Sequence, residues 1–121
     1  MGRLVGDLKE RALRFGIDVL AAVKKLPHDT GSWVVGKQLA RSATSIGANV
    51  WEANAGVSDA DFAHKMSIAH KEANETQYWL ELSRRSGLIP LDVTSQLNAE
   101  ADELIRILST IVRKTRERSD G

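Results

Sequence analysis

Any chemistry in this chain has to come from few side chains, and their spacing limits which reactions are open to them. The three histidines are His28, His64 and His70. A step of six positions leads from His64 to His70, which on a helix turns the two rings to different sides, so they are not expected to share a metal. Asp61 and His64 have the carboxylate-x-x-His spacing found in metal-binding bundles, yet a di-iron centre needs two such motifs and two further carboxylates. Capping and surface solvation explain Asp61 and His64 better. The absence of cysteine excludes disulfides, thiolate zinc ligation and a thiol nucleophile. Neither a P-loop nor a dinucleotide glycine fingerprint is present, and no nucleophile, base and charge-stabilising group form a set. The expectation is a protein that is not an enzyme and that carries no metal or cofactor.

What remains is charge and hydrogen bonding. Gln38, Arg41, Ser45, Asn49 and Glu52 follow one another at steps of three and four, which places them in one row along a helix. Lys65, Glu72 and Glu75 lie on a related face of the next segment. Together Arg41, Ser45, Asn49, Glu52, Lys65, Glu72 and Glu75 are expected to form an interhelical polar network, with the Asn49 amide bridging helices, while Lys71 and Glu75 are spaced for a local ion pair. The plainer reading is a solvated polar face. Cations gather at Lys9, Arg11 and Arg14, around the first turn at Lys24, Lys25, Lys37 and Arg41, and at Arg113, Lys114, Arg116 and Arg118. Each cluster suits contact with RNA or DNA phosphates, and the last equally suits the negative end of a helix dipole. Trp33, Trp51, Tyr78 and Trp79 could stack on bases, but aromatic residues at helical spacing are more often packing anchors.

The elements that position these groups are helical. Leu8, Ala12, Phe15, Val19, Ala22 and Leu26 form one stripe and Val35, Leu39, Ala43, Ile46 and Val50 a second. Phe62, Met66, Ala69, Ala73, Thr76 and Leu80 make a third, and Leu97, Ala101, Leu104, Leu108 and Ile111 a fourth. Breaks fall at Pro27, at Gly56 and at Gly87 before Pro90. Ser58 with Asp61 resembles a capping box, and Gly87 is placed to close a helix in the left-handed conformation. The spacing predicts helices over about 4–25, 32–55, 59–86 and 91–116 of a single domain covering 1–121. The fold class is all-α, an up-down-up-down antiparallel four-helix bundle. Leu13, Ile17, Leu20 and Val23 on the first helix, and Ile105, Ile107 and Val112 on the last, widen the apolar sectors beyond what one core requires. Tilted helices could absorb this surface within a subunit. The favoured reading places Leu13, Ile17 and Leu20 in an oligomer interface.

Read together, Leu26-Pro27, Gln38, Arg41, Ser45-Ile46, Ala48-Asn49, Phe62, Ile68-Ala69, the run Lys71-Glu72-Ala73-Asn74-Glu75-Thr76-Gln77-Tyr78-Trp79-Leu80 and Gly87-Leu88-Ile89 carry a resemblance. The chain resembles bacterial four-helix bundle proteins of the 23S ribosomal RNA intervening-sequence family over nearly its whole length. It departs where many members carry Ala-Glu-Gly, reading Trp51-Glu52-Ala53-Asn54-Ala55-Gly56 and so moving the glycine of the second turn. The resemblance implies assembly into a ring, commonly a homopentamer. It also implies a distant relationship to accessory proteins of diversity-generating retroelements, which bind nucleic acid and a reverse transcriptase. Occurrence inside a ribosomal RNA insertion is not in itself evidence of RNA binding.

Composition narrows the partners. The 121 residues carry 17 Lys and Arg against 16 Asp and Glu, a net charge of +1, so nucleic acid is not announced by overall charge and a basic face has to be local. No apolar run is long enough for a signal peptide or a membrane span, and a cytoplasmic protein is expected. The function these features favour is a nonenzymatic, oligomeric, nucleic-acid-associated scaffold or accessory protein. The competing function is a homo-oligomeric protein-interaction adapter with no nucleic-acid role.

Overall fold

The computed structural model describes the backbone of residues 2–55 and 58–120 and the side chains of residues 5–55 and 58–118. Four helices, α1 (Gly2–Val23), α2 (Thr30–Asn54), α3 (Asp59–Arg85) and α4 (Leu91–Asp120), run up and down as an antiparallel bundle, with no strand among the described residues. α1 packs on α2, α2 on α3 and α3 on α4, and a sparser seam between α4 and α1 closes the square. The α1–α2 face and the α3–α4 face therefore lie on opposite sides of the bundle.

The stripes read from the sequence supply the core. Leu8, Ala12, Phe15 and Val19 of α1 meet Leu39, Ala43, Ile46 and Val50 of α2, Met66, Ala69, Ala73 and Leu80 of α3, and Leu97, Ala101, Leu104, Leu108 and Ile111 of α4, all buried. Ala22 and Phe62 are partly covered at its margin. Gly36 makes room for the first turn to fold back on α2, because a Cβ there would stand 2.9 Å from Leu26 Cδ1.

The helix ends follow local chemistry. α1 stops at Val23, ahead of the expected end near residue 25, since Lys25 and Leu26 already turn back to the carbonyls of Ala22 and Val23 before Pro27. α2 starts at Thr30 rather than near 32 because the Asp29 carboxylate accepts the Ser32 N–H at 2.9 Å and caps it. The Ser58 hydroxyl accepts the Asp61 N–H at 3.1 Å at the head of α3. At its tail Gly87 adopts φ +77°, and the N–H groups of Gly87 and Leu88 return to the carbonyls of Arg84 and Ser83 in a Schellman closure. α4 continues through Asp120, past the expected end near 116. Gly56, on which the altered second turn depends, lies outside the described residues.

Candidate functional site

Three surfaces carry the residues singled out above. The first is the polar seam between α2 and α3. Arg41 Nη1 donates to Glu72 Oε2 at 3.0 Å, its Nη2 pairs with Glu75, and its Nε donates to Gln38 Oε1 at 3.0 Å, so one guanidinium ties two helices together. The Trp79 indole N–H also donates to Glu75, at 3.0 Å. That bond first, and the Arg41 bond after it, hold the Glu75 carboxyl below its ordinary value against the opposing effect of desolvation. Towards the other end Lys65 Nζ meets Glu52 Oε2 at 2.9 Å. Ser45 and Asn49 do not cross the seam. The Asn49 amide donates to the Ser45 carbonyl at 2.8 Å and to its hydroxyl at 3.2 Å within α2, because a short amide reaches the preceding helical turn more readily than the neighbouring helix. Lys71 forms no ion pair with Glu75 within 4.0 Å and acts on it only as a nearby charge, while Arg41 and Trp79 both bond Glu75 Oε2.

The seam also holds a buried hydroxyl pair that the row arithmetic missed. Thr76 Oγ1 and Ser42 Oγ are hydrogen-bonded across the seam at 2.9 Å, with the Glu72 carbonyl 2.8 Å from Thr76 Oγ1 and the Leu39 carbonyl 3.3 Å from Ser42 Oγ. Thr76 belongs to an apolar stripe in the sequence. Its step of four from Glu72 was visible, but its partner 34 positions away was not.

The second surface is the α1–α2 face. Leu13, Ile17 and Leu20 are 44%, 56% and 40% exposed, and with Ala12, Gly16, Thr44, Gly47, Ala48 and Trp51 they line a groove of about 310 Å³ that contains no charged side chain. The other surplus apolar residues are absorbed within the subunit: Val112 is buried, and Val23, Ile105 and Ile107 pack partly covered against the core. Ile105, Ile107 and Val112 of α4 therefore need no outside cover, while Leu13, Ile17 and Leu20 of α1 stay exposed, as do Val34 of α2 and Leu91 at the head of α4.

The third surface is cationic and is divided. Arg11 holds Glu100 of α4 through two bonds at 3.0 and 2.6 Å, and Arg14 pairs with Glu10 at 3.0 Å, so neither offers an unpaired charge. The Lys9 ammonium lies 4.2 Å from the centre of the Trp51 ring, and Lys37 stands 4.9 Å from that of Trp33. Lys24 and Lys25 follow the C-terminus of α1, at the opposite end of the bundle from Arg113, Lys114 and Arg116, with most of the length of α4 between the clusters. The basic residues thus form separate patches rather than one continuous track. Near the end of α4, Arg113 and Arg116 line a groove of about 410 Å³ against α3 together with Ser67, His70, Ser109, Val112 and Glu117. Arg116 Nη2 donates to the Ser67 hydroxyl at 3.0 Å. Sequence reading chose the arginines and missed Ser67, His70 and Ser109. The signal was available: Ser109, Arg113 and Arg116 share one face of α4, and Ser67 and His70 share one face of α3.

Among the described residues no group of three or more His, Asp or Glu side chains is arranged to hold a metal ion, and no helix is long and apolar enough to cross a membrane. Trp33, Trp51 and Tyr78 are largely exposed, whereas Trp79 is partly covered and anchored to Glu75.

The comparison with known proteins follows this geometry. A crystal structure of a protein with unknown function from the S23 ribosomal protein family of Bacteroides thetaiotaomicron is similar to this chain, with 38% sequence identity and a TM-score of 0.85 over 91% of this chain and 98% of that one. No curated protein matches the chain. The profile of the 23S rRNA-intervening sequence protein family matches residues 7–110, which hold the core stripes of all four helices up to Leu108, the α2–α3 polar seam and the turn at Gly87. On that match the chain belongs to the 23S rRNA-intervening sequence protein family.

Proposed function

We propose that this chain is a nonenzymatic subunit of a homo-oligomeric scaffold that associates with RNA or DNA, a pentameric ring being the assembly its family resemblance favours. The observation that carries the reading is the uncharged strip of Leu13, Ile17 and Leu20 beside the α1–α2 groove. A second copy of the chain suits this surface because ridge and groove occur side by side and neither carries a charge that burial would strand. The α3–α4 face, with Arg113 and Arg116, lies on the far side of each subunit and stays open for phosphates. The resemblance to retroelement accessory proteins adds a reverse transcriptase as a partner class, and a cytoplasmic setting agrees with the lack of cysteine.

A second reading, a protein-interaction adapter with no nucleic-acid role, is favoured by the pairing of Arg11 and Arg14 with carboxylates, which lowers the supply of open cations. Light scattering on purified protein, with and without nuclease treatment, separates the two. The expected result is a mass several times the 13.3 kDa of one chain, with nuclease removing copurified nucleic acid and leaving the assembly intact. Ile17→Asp combined with Leu20→Asp is expected to lower that mass. A 13.3 kDa species in the unaltered protein overturns the scaffold, and an oligomer that carries no nucleic acid and binds none at low salt supports the adapter.

A further inference from the structure

We propose that the groove between α3 and α4 seats one phosphodiester of a nucleic-acid strand, held by Arg113 and Arg116 with Ser67, His70 and Ser109 around it. This rests on the nucleic-acid reading above and narrows it to one site.

The argument starts from how arginines are used across the molecule. Arg11, Arg14, Arg41, Arg84, Arg85, Arg106 and Arg118 each have a carboxylate oxygen within 4.0 Å. Among the described residues Arg113 and Arg116 are the arginines without one, and both line the same groove. In a chain with nearly balanced charge, two adjacent guanidinium groups with no described carboxylate oxygen within 4.0 Å create a local positive field that an anion relieves. Guanidinium donors are planar and forked, the geometry that matches phosphate oxygens.

The surroundings supply further donors. Because the Ser67 oxygen accepts from Arg116, its own proton is free to point onward, and that bond also fixes the guanidinium at the groove wall. Ser109 adds a hydroxyl and His70 an imidazole on the opposing helices, while Val112 forms an apolar wall. Two guanidinium groups, two hydroxyls and an imidazole thus border one groove, a donor set that suits an oxyanion. Glu117 is the one carboxylate lining the groove, and against the two arginines it leaves a local charge of one positive unit, which matches the single negative charge of one diester.

The larger cleft at the first turn, about 720 Å³ and lined by Lys24, His28, Trp33 and Lys37, is a weaker candidate. Asp29 caps α2 inside it with its carboxylate, and the Lys37 ammonium lies against Trp33.

The test uses the intact oligomer, a fluorescein-labelled oligouridine ten-mer with a 5′-hydroxyl end, and inorganic phosphate as separate probes. The expected result is that Arg113→Gln with Arg116→Gln weakens ten-mer binding at least tenfold and lowers the slope of log affinity against log salt by about 0.7 for the phosphate lost. Arg85→Gln with Arg106→Gln, which removes the same two charges away from the groove, is expected to leave binding within twofold. In proton NMR the His70 ring resonances should move with the ten-mer in the unaltered protein and stay still in the double variant. Equal ten-mer binding by the unaltered and double-variant proteins overturns the groove and leaves nucleic-acid association to other cations. Failure of the unaltered protein to bind the ten-mer at low salt overturns the nucleic-acid reading, and the groove with it. Movement of His70 with inorganic phosphate but not with the ten-mer overturns the strand as occupant.

Discussion

Glu75 shows how much one side chain can be asked to do in a small bundle. It receives the Trp79 indole N–H from its own helix and the Arg41 guanidinium from α2, and these bonds favour its charged form. A carboxyl held below its ordinary value of 4.5 in the folded state adds stability that is fully present above that value and is lost as pH falls through the lower, folded one. Urea unfolding at about pH 6 and about pH 3 should therefore show a larger loss for the natural protein than for Glu75→Gln, which cannot titrate. An equal loss in both would detach Glu75 from acid stability. The sequence shows the row Arg41, Ser45, Asn49 and Glu52, but not which members reach across. Arg41 and Glu52 cross because long side chains span the gap between helices, and Asn49 does not because its amide finds the Ser45 carbonyl first.

The apolar period of each helix was legible because a buried stripe repeats with the helix itself, and Leu39, Ala43, Ile46 and Val50 make the case: all four are buried. Ends were harder, since they depend on single caps. Asp29, not a residue near 32, starts α2, and the turn at Lys25 and Leu26 ends α1 early. Gly87 is the clearest of these signals, since its φ of +77° is costly for any residue with a Cβ. Gly87→Ala should lower stability by about 1 kcal/mol, read as a lower denaturation midpoint at fixed protein concentration. No change would mean that the turn relaxes without the left-handed residue. What the stripes do not reveal is which edge of a wide apolar sector faces a neighbour. Ile105, Ile107 and Val112 are drawn in against the core, while Leu13, Ile17 and Leu20 stay out, although all six read alike in the sequence.

Across the molecule, the two surfaces that matter most fall on opposite faces, an uncharged strip on α1–α2 and a cationic groove on α3–α4. Counting charges along the chain does not separate spent cations from open ones, because partners come from distant positions: Arg11 is matched by Glu100, 89 residues later. The square itself has a further outcome. α1 meets α4 at the sparsest of the four seams, whereas α3 packs densely on both flanks. Of the four rods, the first is the one whose detachment uncovers least of the interior, so in heavy water its amides should take up deuterium well before those of the third. A copy of the chain docked on that rod would slow its exchange and leave the third unaltered, which makes hydrogen–deuterium exchange a reporter of how firmly neighbours clasp one another.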